Sequence, residues 1–414
     1  MQVAVSSFFG NQEWRESRLA AYASIGLPVF LTSFFWAPTR DFMHVVYGLA
    51  FFAPILLVLL LRKPSYDQYG GCFTGLALLY AGYASISTLW SDAPRLEFFA
   101  QHFLFLAVWL AGTAWLASRS QLNVERLYRV LIVCGALCSV IFQVIFHAQS
   151  FFIGYDPSLG SRLGFTSFGV TRNPNTIGCI FGAITLVAYV SWLQSQGWRE
   201  GVGRFFLLLL NGSAVLATQS RGPILALAFS LGLGFALYRG PTRKWRTHIL
   251  AVLCLFGGFT VAIQQQLIPN RWDSASMASS SRPEIWQHLV ERAAEDNLWF
   301  GLGLVKTTRI HVPGLEERLP YTHHAHNAYI DALYWTGLVG LLLMCAHMFY
   351  VLRHWSNSPL MLPLFLWFLF GCLTAVVDRP GFFEHLTPHW FVYWIPAGLI
   401  AALVMAEKQK SPPA

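Results

Sequence analysis

Three histidines and an asparagine stand together in His323-His324-Ala325-His326-Asn327, and imidazole is the side chain best suited to take a proton from a hydroxyl near neutral pH. Alternating histidines such as His324 and His326 can also be metal ligands. The chain has no HExxH and no DxD, however, and the nearest acid in sequence is Asp331. A base acting on a hydroxyl fits better than a metal ion; an interfacial histidine without chemistry is the bland alternative. A second set of residues is suited to anions: Arg162, Arg172, Arg221 and Arg282, whose guanidinium fork matches a phosphate, with Asp378, Arg379 and His385 further on. Ser281-Arg282-Pro283-Glu284 reads as a capping box with proline in the first turn, so a helix should start there and offer its N–H groups to an anion. Asn175 and Asn327 stand at the starts of two apolar runs, where the same argument holds.

The elements that position these residues are dictated by composition. Of 414 residues 55% are apolar and 12% charged, against about 25% charged in a soluble domain, so lipid rather than water must cover most of the surface. Runs long enough to cross about 30 Å of hydrocarbon occur near 19–38, 43–61, 72–90, 98–117, 130–147, 176–193, 205–219, 223–238, 248–264, 328–350, 359–377 and 390–406. The expected architecture is an all-α integral membrane protein of about twelve transmembrane helices, one domain over residues 1–414, with one long loop at 265–327. The N-terminal stretch carries Glu13, Arg15, Glu16 and Arg18 and no apolar core, so it does not read as a removable signal peptide. The seven cysteines lie in or beside apolar runs, which argues against a disulfide framework or a cysteine metal site.

Orientation follows from alternate short loops: one set holds sixteen Lys and Arg, the other six. The positive-inside rule then puts both termini in the cytoplasm and the long loop, which the rule does not count, outside. The net charge of +8 is accounted for by this spread over short loops, so no nucleic-acid partner is expected. The long loop should contain a helix after Ser281 with Ile285, Trp286, Leu289, Val290 and Ala293 on one stripe, lying on the membrane surface or packing on the bundle.

Arg221 carries a sharper argument. Only 34 residues separate Arg204 from Arg239; out and back, about 17 residues at about 1.5 Å each reach about 25 Å, short of the hydrocarbon thickness. Ser220-Arg221-Gly222-Pro223 should therefore sit below the outer surface, where an arginine needs an anion such as a lipid phosphate. An arginine that merely snorkels to headgroups is the alternative. The ionisable residues cluster at the outer edge of the bilayer rather than at its midplane, a pattern that favours surface chemistry over transport.

Four segments carry a family resemblance: SRLGFTSFGVTRNPNTIG from Ser161, TQSRGPILA from Thr218, SRPEIW from Ser281 with the later FGLGL, and HHAHNAYIDALYWTGLVGLL from His323. Together they resemble the bacterial O-antigen ligase and polymerase superfamily of membrane glycosyltransferases. The resemblance implies a GT-C type fold, an undecaprenyl-pyrophosphate-linked O-antigen as donor, and no metal or other cofactor. It implies that Arg221 and Arg282 bind the pyrophosphate and that His326 is catalytic. Asp378 looks like the acidic residue found in the same outer loop of ligases. Arg162, Arg172, Asn175, His324 and Asn327 complete the expected substrate-binding rim. The loop holding both Arg282 and the histidine run resembles ligases more than polymerases, and only eight residues follow Ala406, where protein O-oligosaccharyltransferases usually carry a further domain. The expectation is an inverting O-antigen ligase of the bacterial inner membrane with a periplasmic active site and the lipid A core oligosaccharide as acceptor. A polymerase or a protein O-oligosaccharyltransferase using the same donor, and a flippase for that lipid, are the alternatives.

Overall fold

A computed structural model describes residues 12–61, 71–152, 163, 173–238, 252–258, 260, 281–306, 309–315, 321–356, 358–377, 381, 383 and 386–410. Arg162, Arg172, Asp378, Arg379 and His385 lie outside them. The chain is a multi-pass, nearly all-helical membrane protein: α1 (Gln12–Trp36), α2 (Arg40–Leu61), α3 (Gly71–Ser87), α4 (Leu96–Ser118), α5 (Val124–Phe152), α6 (Pro174–Leu193), α7 (Trp198–Ala217), α8 (Arg221–Leu237), α9 (Arg282–Asn297), α10 (Ala328–Arg353), α11 (Met361–Ala375), α12 (Pro388–Val392) and α13 (Trp394–Lys410). Among the described residues there is no strand, only one antiparallel bridge between Ile310 and Thr322. Nine helical spans among them are long and apolar enough to cross a membrane, and α8 and α11 are shorter apolar helices. Of the further helix expected near 248–264, only residues 252–258 and 260 are among the described residues, and they are helical, with a π turn at Leu253–Gly257.

Burial separates inside from outside. The apolar window of α6 is 89% buried and that of α12–α13 is 83% buried, against 33% for α2 and α7. The first group therefore forms the interior, and the second presents side chains such as Leu49, Leu60 and Phe206 outward, where lipid is their solvent. Large rings fill the interior: Trp109, Trp367, Trp390 and Trp394 are all fully enclosed. Trp109 donates its indole N–H to the Trp394 carbonyl at 2.8 Å, so the ring is buried without leaving its donor unmade.

Two features hold the end of the bundle that carries the histidine run. First, α9 packs on α10 through Ile285, Leu289 and Ala293 against Tyr334, with Ile310, Val312, Leu315 and Ala325 closing the cluster. Val290, expected on that stripe, faces outward. Second, α10 is interrupted at Gly337, whose φ of 64° and ψ of −169° are not helical. The chain after α9 fills the gap: the N–H groups of Leu302 and Gly303 donate to the carbonyls of Tyr334 and Trp335, and those of Leu338 and Val339 donate to Leu298 and Trp299. The two backbones approach so closely that a side chain on Gly337 would strike the Trp299 carbonyl, and one on Gly301 would meet the Gly337 nitrogen at 2.5 Å.

Candidate functional site

Arg221 is the first residue of α8, and the turn before it is buried through Thr218, Gln219 and Ser220. α8 has 17 residues, so it is the short arm expected; α7 starts earlier than expected, at Trp198, and spans 20. Gly178 near the start of α6 lies against Pro223 and Thr218, so the N-termini of α6 and α8 stand side by side. Asn175 is in the first turn of α6, but the capping side chain is that of Asn173, which accepts the Asn175 N–H at 2.8 Å. The end of α11 reaches the same place, since a side chain on Gly222 would meet Val377, the residue before Asp378. The loop that follows then returns to the histidine run: Gly381 lies beside Asp331, with 3.9 Å between an ideal Cβ there and the Asp331 Cβ. Val377 and Gly381 thus stand beside the Arg221 turn and the first turn of α10, respectively.

Arg282 opens α9, with Pro283 in the first turn, but Ser281 makes no side-chain capping bond, so the expected capping box does not close. Asn327 caps α10 as expected, its side-chain oxygen accepting the N–H groups of Tyr329 at 3.0 Å and Ile330 at 3.2 Å. His323 is exposed, whereas His324 and His326 are half-buried with ring centroids 4.1 Å apart. His326 has a φ of 56°, a left-handed conformation that costs a non-glycine residue about 1–2 kcal/mol. The backbone around it is held throughout. The Thr322 hydroxyl donates to the His324 carbonyl at 2.8 Å, the Ala325 N–H to Asp331 Oδ1 at 2.9 Å, and the His326 N–H to His324 Nδ1 at 3.1 Å.

That last bond fixes the His324 tautomer: Nδ1 accepts, so the proton is on Nε2. Burial, then the neighbouring His326, His323 and Arg282, push the His324 imidazole down to about 3, so it is neutral at physiological pH. The influence of Arg282 also brings the start of α9 within electrostatic range of the histidines. The arrangement offers an imidazole held in one backbone conformation, a neutral imidazole N–H beside it, and two helix starts bearing arginines at one end of the bundle.

Reading the sequence missed three residues here. Trp286 was taken only as part of an apolar stripe, yet its indole N–H donates to the Ala325 carbonyl at 2.8 Å. Asp331 was noted only as the nearest acid. Gln219 is 3% exposed with a φ of 52°, and neither polar atom of its side chain has a hydrogen-bond partner among the described residues. All three lie inside the segments that carry the family resemblance, but nothing in those segments tells where each side chain is placed.

Residues 206–345, which run from α7 through the histidine run into α10, match the family model described as O-antigen ligase. Over 393 residues, 93% of this chain and 91% of the other, the protein is 26% identical to an O-antigen ligase of Pseudomonas aeruginosa. The matched segment contains both arginine helices and the histidine run.

Proposed function

We propose that the protein is an O-antigen ligase that moves a glycan from undecaprenyl pyrophosphate to a sugar hydroxyl of the lipid A core oligosaccharide, at the periplasmic face of the bacterial inner membrane. The observation that carries this reading is the gathering, at one end of the bundle, of the Arg221 and Arg282 helix starts with the conformationally held His326. The acceptor oxygen attacks the anomeric carbon as the bond from that carbon to the pyrophosphate oxygen breaks, and His326 takes the acceptor's proton. Arg221 and Arg282 hold the pyrophosphate and offset the charge that grows on it, where low dielectric makes such pairing most effective. A single displacement inverts the anomeric configuration. Arg162, Arg172, Asn175, His324, Asn327 and Asp378 complete the substrate rim, and the whole chain acts as one catalytic unit with both termini cytoplasmic. Since the arginines supply the positive charge, the reaction needs no metal ion.

The test is reconstitution with purified lipid-linked glycan and rough lipopolysaccharide in the presence of excess chelator. Ligation shifts the acceptor band by whole glycans, polymerisation lengthens the donor ladder, and a flippase changes neither. Arg221→Lys and Arg282→Lys keep the charge but lose the fork, so each should reduce ligation at least tenfold. Normal ligation by both variants would remove the pyrophosphate role, and a loss of activity restored by a divalent ion would replace the mechanism.

A further inference from the structure

We infer that Trp286 and Asp331 are positioning residues that clamp Ala325 from opposite sides and thereby set where His326 stands relative to Arg282. Ala325 is fully buried between the two histidines. Its N–H is taken by Asp331 Oδ1 at 2.9 Å and its carbonyl by the Trp286 indole N–H at 2.8 Å. The two partners come from different elements. Trp286 lies one helical turn after Arg282, on the same face of α9. Asp331 lies one turn after the cap Asn327 in α10, and its own N–H bonds the Asn327 carbonyl at 2.9 Å. One peptide segment therefore couples the helix of the arginine to the helix of the cap. With Ala325 fixed at both its polar groups and the His326 N–H tied to His324 Nδ1, the chain at His326 is kept in its left-handed conformation at φ 56°. A strained conformation persists only where its surroundings over-determine it, and this clamp supplies the constraint.

The inference rests on the reading of His326 as the base. Placement errors of about 1 Å at a reacting group cost about a hundredfold in rate, so the clamp should be visible in kcat rather than in donor KM. In the reconstituted ligation assay, Trp286→Phe removes the indole N–H and should lower kcat tenfold to a hundredfold, with donor KM within about twofold of the wild type. Asp331→Leu should do the same, and Asp331→Asn, which keeps an acceptor oxygen, should recover most of the rate. The decisive readout is a double-mutant cycle: if Trp286 acts through His326, Trp286→Phe should cost nothing further in a His326→Ala background. An unchanged kcat in Trp286→Phe, or the same fold loss in both backgrounds, overturns the clamp. Wild-type turnover by His326→Ala alone overturns the base assignment, and the clamp's catalytic role with it. A loss confined to Arg221→Lys and Arg282→Lys would leave the phosphate reading standing while removing both.

Discussion

At the scale of single residues, the two neighbouring histidines have separate expected roles and separate tests. His326→Ala should lower turnover about a hundredfold to ten-thousandfold, the usual contribution of a general base, with donor binding close to normal. His324→Ala should cost less. His324 also makes stability depend on pH in a stated direction. Its imidazole is held down to about 3 in the folded protein, against about 6.5 in an unfolded chain, so between those values the unfolded state binds more protons. The contribution is full above about pH 6.5 and is lost as pH falls toward 3. A melting series from pH 7.5 to 4.5 should show a smaller drop for His324→Gln than for the wild type. Equal drops would mean that His324 protonates freely in the folded protein.

At the scale of elements, sequence and structure diverge where backbone meets backbone. Asn327 as a cap, Pro283 in a first turn and the shortness of α8 all follow from residue types and counts, and they are present. Gly337 lies in an apolar run whose composition is that of an unbroken helix, and nothing local marks it as the break in α10. The break exists because the chain at Leu298–Gly303 replaces the lost helical bonds, and partners 32 or 40 residues apart leave no periodic trace. Ser281 fails to cap for the converse reason: a local pattern proposes a bond, and packing of α9 on α10 sets the geometry instead. Gly337→Ala should cost more than about 2 kcal/mol, from a left-handed φ added to a clash with the Trp299 carbonyl. Thermal unfolding in detergent measures it; a loss no larger than that of an exposed surface alanine would mean that the backbone exchange yields easily.

At the scale of the whole molecule, eleven of the twelve expected apolar runs are helices among the described residues, in the expected order, because a hydrocarbon solvent admits few solutions: each run must be a helix that satisfies its own backbone. Which helices are central was not legible, since α6 and α10 are similarly apolar by composition yet differ almost threefold in burial. Only rings and glycines meeting across helices decide it, as where Gly182 of α6 leaves room for Phe370 of α11. Orientation rests on the charge count and is open to direct test. In a cysteine-free background, Glu295→Cys in α9 should react with an impermeant thiol reagent added to spheroplasts, and Gln409→Cys at the end of α13 should not. The opposite labelling would turn the molecule over and put His326 in the cytoplasm.

The backbone exchange between Leu298–Gly303 and Tyr334–Val339 carries a consequence for motion. Amides outside regular helices ordinarily exchange with solvent deuterium quickly, because local opening costs little. The amides of Leu302 and Gly303 are pledged to carbonyls inside α10, and those of Leu338 and Val339 to the segment after α9. Opening either segment breaks the bonds of both, so these four amides should exchange together and as slowly as helical amides of the buried α6. Fast exchange at Leu302 and Gly303 alone would show a hinge there, free to swing α9 and its arginine away from the histidines between turnovers.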